Sequence, residues 1–559
     1  MRMTGARIVI ECILEQGTDT VFGYPGGTVL NIYDELYKHS DRIRHVLTAH
    51  EQGAVHAADG YARASGRTGV VIATSGPGAT NLVTGIATAF MDSVPLVAIT
   101  GNVPTKLLGK DSFQEVDIAG VTMPITKHNF IVKDMESLAS TLRRAFEIAG
   151  SGRPGPVLVD IPKDLTAMET EWTPEPLRAL SPLARGAVAA DSDAIAEAVA
   201  LIDAAESPFI IAGGGVIASG ASVVLKRFAE RIESPVAMTL MGQGSLPATH
   251  FLATGMVGMH GTKASNTAVR EADLLIAVGM RFSDRVIGDA SRFASGTQIL
   301  HIDIDPAEIG KNIRCYRSLV GDVSDILERL AAGVTEKRRP EWLSRIEAWR
   351  LDMPAHRENA GLNPRSILKA IHDAFGDEAV ITTEVGQHQI WTAQYYPFSR
   401  PRTFISSCGL GTMGFGTGAA IGAQTARPDA RVVHVAGDGS FRMNCTELAT
   451  IANYGLPITI VVVNNGTLGM VRQWQTLFYE KRYSQTTLDR PPDFVKLADA
   501  YGIRGFRPRD EAELAALLAE AAATREPMLI DCRIDIDENV LPIVPPGKSI
   551  EEQIMEVVN

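Results

Sequence analysis

Short apolar runs rich in β-branched residues alternate with longer amphipathic stretches, and this alternation limits the possible folds more than any other feature. The clearest runs are Gly69–Thr74, Pro95–Thr100, Val157–Pro162, Leu274–Gly279, Ile299–Asp303, Arg431–Ala436 and Ile458–Asn464. Continuous apolar strands separated by helical stretches are typical of parallel sheets covered by helices on both faces. The sequence therefore predicts an α/β protein built from doubly wound parallel sheets.

A chain of 559 residues is long enough for about three domains, at roughly 100–200 residues each. Two stretches without clean periodicity, 166–191 and 337–363, are predicted to be linkers. They divide the chain into three predicted domains, residues 1–165, 190–335 and 364–559. The first and last domains end alike, in Arg153–Asp160 (RPGPVLVD) and Arg525–Asp531 (REPMLID), which indicates either a duplicated domain or chance similarity.

Composition disfavours several classes of function. The formal net charge of -12 repels phosphate backbones, so no nucleic-acid partner is expected. The five cysteines are scattered without a C-x-x-C pair, which disfavours a disulfide framework or structural zinc and fits a reducing compartment. No apolar run approaches about 18 residues and no signal-peptide pattern is found, so we expect a cytoplasmic location and no membrane partner.

The segment after Arg431 combines two strand ends with metal-binding side chains. One predicted strand ends in Gly437-Asp438-Gly439-Ser440, and the next is followed by Asn465. Because ligands of parallel sheets bind outside the carboxyl ends of the strands, both loops are expected at one site. The Asp438 and Asn465 oxygens, with a backbone carbonyl and diphosphate oxygens, would form an octahedral Mg²⁺ site. Gly437 and Gly439 allow the backbone to approach phosphate closely. The alternative interpretation is that the segment at Asp438 is an ordinary turn and the segment at Asn465 a hairpin.

The G-D-G motif at 437–439 and the N-N pair at 464–465 resemble the cofactor motif of thiamine-diphosphate enzymes. More narrowly, the chain resembles the catalytic subunits of acetohydroxyacid synthase (acetolactate synthase) from Thr4 to Lys548. The resemblance is carried by Phe22–Gly27, His50–Glu51, Ser75–Asn81, Ser112–Glu115, Gly152–Pro156, Gly258–Gly261, Arg281–Arg285, Gly386–Gln389, Gly409–Gly414 and Leu468–Trp474. It implies a thiamine-diphosphate-binding fold: an N-terminal pyrimidine-binding domain, a central FAD-binding domain and a C-terminal diphosphate and Mg²⁺ domain.

The resemblance also assigns roles near the reacting atoms. Joining two 2-keto acids requires an acyl anion, which no side chain provides, so thiamine diphosphate would serve as the electron sink. Glu51 would hydrogen-bond the aminopyrimidine ring, and Gln114 would donate hydrogen bonds to developing oxyanions. Phe113 would line the pocket, Gly27 would leave room for the substrate and Lys163 would supply positive charge.

Further cofactor contacts follow from the same resemblance. Contacts to thiamine diphosphate are implied for Tyr24, Pro25, Gly26, Glu51, Pro77, Asn81, Val385, Gly386, Gln387, His388, Gly411, Met413, Gly437, Asp438, Gly439, Ser440, Asn465, Thr467, Leu468, Gly469 and Met470. Met413 would support the bent conformation of the cofactor, and Asp438, Asn465 and Thr467 would bind Mg²⁺. For the second 2-keto acid, Arg285 offers a bidentate fork to its carboxylate. Trp474 and Met470 would form an apolar wall that favours 2-ketobutyrate.

The central domain contains the run FIIAGGGVIASGA from Phe209, which predicts a strand, a glycine-rich turn and the start of a helix. On its own such a turn is weak evidence for a dinucleotide, but the resemblance implies FAD in a structural, non-redox role. Its contacts would be Arg153, Gly213, Gly214, Gly215, Thr239, Leu240, Gly258, Met259, His260, Gly261, Gly279, Arg281, Val286, Asp303, Ile304, Asp322, Val323 and Gln389. The chain departs from the family pattern at Ser283 and Asn102, where Asp and Gln are common.

The resemblance therefore predicts a biosynthetic acetolactate synthase that acts on 2-keto acids with thiamine diphosphate, Mg²⁺ and FAD. It implies a homodimer or tetramer with active sites between subunits, and a separate small regulatory subunit. The alternatives are a catabolic, FAD-free acetolactate synthase, another thiamine-diphosphate reaction (oxidase, glyoxylate carboligase or sulfoacetaldehyde acetyltransferase), or a non-catalytic nucleotide-binding homologue.

Overall fold

The computed structural model describes residues 1–175, 190–352 and 361–556. Three six-stranded sheets organise these residues, one in each predicted domain. Every strand pair within these three sheets is parallel, and each of the seven predicted runs corresponds to a strand. The predicted α/β class with three doubly wound sheets is confirmed. Parts of the two predicted linkers, residues 176–189 and 353–360, lie outside the described residues.

The first domain packs its sheet between helices on both faces. Its strands are β1 (Arg2–Thr4), β2 (Thr20–Gly23), β3 (Arg44–Leu47), β4 (Gly69–Ala73), β5 (Leu96–Asn102), β6 (His128–Ile131), β7 (Pro156–Pro162) and β8 (Glu169–Glu171). Its helices are α1 (Gly5–Glu15), α2 (Leu30–Lys38), α3 (Glu51–Ser65), α4 (Pro77–Thr80), α5 (Val83–Asp92), α6 (Ile118–Thr122), α7 (Leu138–Gly150) and α8 (Lys163–Ala167). The strand order is β3-β2-β4-β5-β7-β6, while β1 and β8 form a separate antiparallel pair.

The middle domain has the strand order found in dinucleotide-binding sheets. Its strands are β9 (Pro208–Ala212), β10 (Val236–Met238), β11 (Ala253–Met256), β12 (Leu274–Val278), β13 (Gln298–Asp303) and β14 (Arg317–Val320). Its helices are α9 (Ser192–Ala204), α10 (Gly214–Ala218), α11 (Ser222–Arg231), α12 (Lys263–Glu271), α13 (Asp284–Ile287), α14 (Val323–Gly333) and α15 (Pro340–Leu351). The order β11-β10-β9-β12-β13-β14 reverses between β9 and β12, and ligands bind at such a switch point.

Helix α15 corrects one sequence expectation, because it occupies the first part of the second predicted linker. Trp342 on this helix is buried, and its Nε1 donates a hydrogen bond to the Pro208 carbonyl at 2.9 Å. Trp349 packs edge-on against Trp342, with ring centroids 5.8 Å apart. The helical spacing of these two tryptophans marks a helix packed on the middle domain and not a linker.

The third domain repeats the architecture of the first. Its strands are β15 (Val380–Thr383), β16 (Phe404–Ile405), β17 (Val432–Gly437), β18 (Ile458–Asn464), β19 (Arg504–Phe506) and β20 (Met528–Arg533). Its helices are α16 (Pro364–Phe375), α17 (Gln387–Tyr395), α18 (Phe415–Ala426), α19 (Asp438–Asn444), α20 (Leu448–Tyr454), α21 (Gly469–Phe478), α22 (Phe494–Ala500) and α23 (Glu511–Thr524). The strand order β16-β15-β17-β18-β20-β19 is the order of the first sheet with the strands renumbered.

A polar pair at matching positions extends this repeat to side chains. Asn102 ends β5 and donates a hydrogen bond to Asp160 of β7, while Asn464 ends β18 and donates to Asp531 of β20 at 2.8 Å. The register is also the same, because each asparagine lies opposite the residue two positions after its aspartate. The shared order and register favour the duplicated-domain interpretation over chance similarity.

The first and third domains share one hydrophobic core through α3 and α18. A Cβ at Gly60 would collide with the backbone of Ala419, and one at Gly422 would collide with the backbone of Ala57. Glycine at both places therefore lets the two helices approach at backbone distance. Across residues 1–175, 190–352 and 361–556, no helix is both long and apolar enough to cross a membrane.

Candidate active site

The predicted metal ligands lie at the carboxyl edge of the third sheet. Gly437 at the end of β17 pairs with Val463 of β18, so Asp438 and Asn465 follow two adjacent strands. Asp438 is only 1% exposed, and its Oδ2 has no hydrogen-bond partner among the described residues. Burial raises the pKa of this carboxyl to about 7. A buried, unpaired carboxylate oxygen is costly, so this position fits a hard cation such as Mg²⁺.

The other two predicted ligands are held in place beside Asp438. Asn465 donates from Nδ2 to Gln387 Oε1 at 3.0 Å and accepts at Oδ1 from the Thr467 N–H at 3.3 Å. The Thr467 hydroxyl donates to the Thr486 carbonyl at 2.7 Å, which fixes the loop that carries the Thr467 backbone. The three residues together offer a carboxylate, an amide oxygen and a backbone carbonyl, which are oxygen donors that Mg²⁺ accepts.

The predicted diphosphate contacts surround the first turn of α17. A Cβ at Gly437 would lie 2.6 Å from His388 Nδ1, and one at Gly469 would collide with Gln387. Gly386 has φ 148°, a conformation that favours glycine. Burial, with a smaller contribution from the nearby His434, lowers the pKa of His388 to about 3, so its imidazole is neutral. Its buried Nε2 has no partner among the described residues, and the helix N-terminus beside it favours anions.

The remaining predicted cofactor residues of the third domain border the same loops. Gly411 lies against Val385, Gly439 lies against Leu468, and the Ser440 hydroxyl donates to the Gly437 carbonyl. Met413 is half-buried just before α18, and Met470 is half-buried on α21.

The first domain gathers the predicted pyrimidine contacts at its own carboxyl edge. Glu51 begins α3, and its Oε2 accepts a hydrogen bond from Asn81 Nδ2 at 2.9 Å. Pro77 begins α4, and a Cβ at the following Gly78 would lie 3.2 Å from Glu51 Oε1. Tyr24, Pro25 and Gly26 follow β2, and Gly26 packs so closely on Thr74 that a Cβ would collide with that side chain.

The predicted substrate contacts of this domain lie around the same edge. A Cβ at Gly76 would lie 2.9 Å from the carbonyl oxygen of Gln114, which has φ 59°, so the loop of Gln114 covers the start of α4. The neighbouring Phe113 is 88% exposed. A Cβ at Gly27 would meet no atom within 4 Å, which fits its predicted role of leaving room. Lys163 begins α8 directly after β7.

The two halves of the predicted thiamine site are held by separate hydrogen bonds. Among the described residues, no hydrogen bond or ion pair links Glu51 to Asp438 or Asn465. The Glu51 side chain is held by Asn81 of the first domain, and Asn465 is held by Gln387 of the third.

A cavity of about 1100 Å³ extends from the strand ends of the middle domain to the third domain. It lies at the switch point between β9 and β12, where Gly215 faces Gly279 at backbone distance. Fifteen of the eighteen predicted FAD contacts line it: Arg153, Gly214, Gly215, Thr239, Leu240, Met259, His260, Gly279, Arg281, Val286, Asp303, Ile304, Asp322, Val323 and Gln389. It is also lined by Arg285 of the middle domain and by Val385, Gly386, Gly411, Met470 and Trp474 of the third.

Three predicted FAD residues do not line this cavity. Gly213 packs against Gly279 and Met280, Gly258 against the backbone of Arg285, and Gly261 against the turn at Gly258. Glycine is needed at these three positions because the backbone packs closely there. The sequence pattern alone does not distinguish this reason from contact with a ligand.

Sequence reasoning missed part of the cavity wall, formed by Met91, Asp92 and Ser93 of the first domain and by Ser407, Cys408 and Gly409 of the third. Asp92 joins the two segments, because its carboxylate accepts hydrogen bonds from the N–H groups of Cys408 at 3.0 Å and Gly409 at 2.6 Å. No local pattern predicts this link, since Cys408 and Gly409 lie more than 300 positions from Asp92.

Comparison with known proteins agrees with these three domains. Models of the thiamine pyrophosphate enzymes match in order: the N-terminal TPP binding domain at residues 3–121, the central domain at 195–330 and the C-terminal TPP binding domain at 384–532. The chain is 50% identical over 558 residues to a probable acetolactate synthase large subunit of Methanocaldococcus jannaschii, covering 98% of this chain and 94% of that protein. It is 45% identical over 555 residues to the acetolactate synthase isozyme 2 large subunit of Escherichia coli, covering 99% of both chains. The chain therefore belongs to the thiamine pyrophosphate (thiamine diphosphate) enzymes, in the family of acetolactate synthase large subunits.

Proposed function

We propose that this chain is the catalytic subunit of a biosynthetic acetolactate synthase. It decarboxylates pyruvate and transfers the two-carbon unit to a second pyruvate, giving 2-acetolactate, or to 2-ketobutyrate, giving 2-aceto-2-hydroxybutyrate. This is the first common step of valine, leucine and isoleucine biosynthesis. The observation that carries the proposal is the buried, unpaired Asp438 beside Asn465 at adjacent strand ends, in a chain of this family. When bound, thiamine diphosphate supplies the electron sink for the decarboxylation and the carbon–carbon bond.

The residues of the chain would hold the cofactor from two sides. Asp438, Asn465 and the Thr467 carbonyl bind Mg²⁺, and the first turn of α17 binds the diphosphate. On the other side, Glu51 would hydrogen-bond the aminopyrimidine ring and hold the proton to be moved. Asn81 orients the Glu51 carboxylate through the 2.9 Å hydrogen bond. Since no hydrogen bond or ion pair joins Glu51 to Asp438 or Asn465 among the described residues of one chain, we propose that two copies each supply one half. The smallest active assembly is then a homodimer.

The 2-keto acids would bind between the same two surfaces. Gln114 donates to the developing oxyanion, Lys163 supplies positive charge, and Phe113 and Gly27 shape the pocket. The exposed ring of Phe113 (88%) fits a position that a second copy covers. Arg285 and Trp474, with Met470, would receive the second 2-keto acid where they line the cavity.

The cavity itself would hold FAD. Its position at the switch point of the middle sheet and its paired glycines suit a dinucleotide. The reaction is redox-neutral, so the flavin has a structural role. Arg153 lines the cavity, and Glu308 at 2.7 Å and Ser93 at 2.8 Å hold its guanidinium. We also propose a separate small regulatory subunit, since the relatives are named large subunits, and a cytoplasmic location.

The test is a product assay on the purified protein with pyruvate, with and without 2-ketobutyrate, in the presence of thiamine diphosphate, Mg²⁺ and FAD. We expect 2-acetolactate from pyruvate alone and 2-aceto-2-hydroxybutyrate when both acids are present. Bound flavin in the active protein would distinguish it from the FAD-free catabolic alternative. Carbon dioxide release without either product would contradict the proposal, and so would oxygen consumption in proportion to pyruvate used.

A further inference from the structure

Glu447 of the third domain binds the backbone immediately before Glu51, and no predicted role includes it. We propose that Glu447 is a positioning residue that sets the direction from which Glu51 enters the thiamine site. The inference rests on the function proposed above, and it concerns how one domain of the chain orients the key carboxylate of another.

The contact is a fork from one carboxylate to two consecutive N–H groups. Glu447 Oε1 accepts from the His50 N–H at 3.1 Å, and Oε2 accepts from the Ala49 N–H at 3.1 Å. Oε2 also accepts from the Thr450 hydroxyl at 2.6 Å. Both N–H groups lie in the turn that leads into α3, which begins at Glu51. Because both hydrogen bonds go to one planar carboxylate, they fix the orientation of that turn.

The surroundings of Glu447 show why this contact is specific. The residue is 0% exposed and ends a one-turn 3₁₀ helix (Cys445–Glu447), which follows the helix that begins at Asp438. A buried carboxylate is costly unless hydrogen bonds compensate it, and three donors do so here. A Cβ at Gly53 would collide with this carboxylate, so only glycine at position 53 lets Glu447 reach the backbone of the first domain.

Glu447 acts on Glu51 only indirectly. No hydrogen bond links the two carboxylates among the described residues, and the Glu51 side chain is instead held by Asn81. The entry angle of α3 determines where the Glu51 side chain points, and a displacement of about 1 Å can cost on the order of 100-fold in rate. Glu447 thereby ties the Mg²⁺-binding domain to the position of the proton-transferring group.

The chain provides a matched control at the same interface. The Leu47 N–H donates to the Tyr454 hydroxyl at 2.8 Å, which is a second backbone contact between the same two domains. It lies two residues before the fork and further from Glu51. Tyr454→Phe removes this one hydrogen bond and leaves the fork intact.

The decisive variant is Glu447→Gln. An amide can accept at only one end, and its NH₂ then faces an N–H donor, so one arm of the fork is lost. We measure two quantities on the full-length protein. The first is backbone hydrogen exchange of residues 47–56 in the protein without cofactor. The second is deuterium exchange at C2 of bound thiamine diphosphate, with Mg²⁺ present, followed by NMR.

We expect Glu447→Gln to speed amide exchange at Ala49 and His50 and to slow C2 exchange by at least about tenfold. We expect Tyr454→Phe to keep C2 exchange within about twofold of wild type. Glu447→Asp retains both acceptor oxygens and should lie between Glu447→Gln and wild type. Gly53→Ala displaces the fork from the opposite side and should reproduce the Glu447→Gln result. It therefore serves as a second test if Glu447→Gln folds poorly.

Wild-type C2 exchange in Glu447→Gln would overturn the inference, and so would equal slowing in Tyr454→Phe. The proposed function fails separately, if the wild-type protein forms no acetolactate from pyruvate. In that event, the amide exchange of the cofactor-free variants still shows whether Glu447 holds the start of α3, and unchanged exchange there would also overturn the inference.

Discussion

Arg285 of the middle domain lies over the indole ring of Trp474 of the third domain, with its Cζ 6.0 Å from the ring centroid. Such a cation–π contact contributes about 0.5–1 kcal/mol at an exposed site, and it orients the guanidinium relative to the indole. The two residues predicted to receive the second 2-keto acid, one for its carboxylate and one for its alkyl group, thus form a single unit across a domain boundary.

Trp474→Leu is expected to lower the preference for 2-ketobutyrate over pyruvate. The smaller side chain removes the flat wall against the ethyl group, and one methylene in such a pocket contributes on the order of 1–3 kcal/mol. The rate of acetolactate formation from pyruvate alone should stay near that of the wild type. The ratio of the two products under competition measures the effect. Trp349→Leu, at a tryptophan that packs on Trp342, is the control, and a ratio unchanged in Trp474→Leu would remove Trp474 from this role.

Glu51→Gln is expected to fold normally and to lose most of its activity, by about 100-fold or more, because an amide cannot take part in the proton transfer. The Asn81 hydrogen bond to the side chain can persist, since the glutamine carbonyl still accepts it. Turnover of pyruvate and the affinity for thiamine diphosphate with Mg²⁺ are the two measurements. A loss of affinity that accounts for the whole loss of turnover would contradict a proton-transfer role.

Reduction of the flavin is expected to change acetolactate formation by less than about twofold, because a structural flavin exchanges no electrons in the reaction. The measurement compares the anaerobic rate before and after dithionite, with the flavin spectrum recorded in the same cell. Removal of dithionite followed by air oxidation provides the control for damage. A rate that follows the redox state of the flavin would point to an oxidase-type reaction.

Asp160 is expected to make the stability of the protein depend on pH. Burial raises the pKa of this carboxyl to about 6, even though Thr100 and Asn102 donate hydrogen bonds to it. Because the folded-state pKa lies above the unfolded value, the native state binds the extra proton, and this contribution is lost as pH rises through about 6. Relative to Asp160→Asn, the wild type should lose on the order of 1 kcal/mol of unfolding free energy between pH 5 and pH 8.

Urea unfolding of both proteins at several pH values measures this difference. Asp164→Asn is the control, since hydrogen bonds from Thr105 outweigh the effect of burial and lower the pKa of Asp164. The difference in unfolding free energy between Asp164→Asn and wild type should not change from pH 5 to pH 8, because the Asp164 carboxylate stays ionised in both the folded and the unfolded state. A flat difference for Asp160→Asn as well would show that the buried carboxyl is not protonated in the native state.

Local patterns predicted that the loops of Asp438 and Asn465 lie together, while the other candidate residues followed from the family resemblance. The motif at Asp438 and the one at Asn465 each follow a buried strand, and consecutive parallel strands tend to be neighbours, so their proximity was predictable. Among the glycines, Gly213 and Gly215 look alike in sequence and both pack against Gly279, yet only Gly215 of these two lines the cavity. Trp342 was assigned to a linker because charged residues around it obscure the apolar face that packs on the middle domain.

The order of apolar runs along the chain was enough to establish parallel sheets, since a strand buried on both faces must be apolar throughout. The same holds for the placement of Asp438 and Asn465, which depends only on where two such strands end. Tertiary structure alone decided that Glu447 binds the backbone at Ala49 and His50, nearly 400 positions earlier, and that Arg285 stacks on Trp474. These contacts depend on how α3 packs against α18 and how the domains meet across the cavity, and the spacing of residues within one segment carries no information about either.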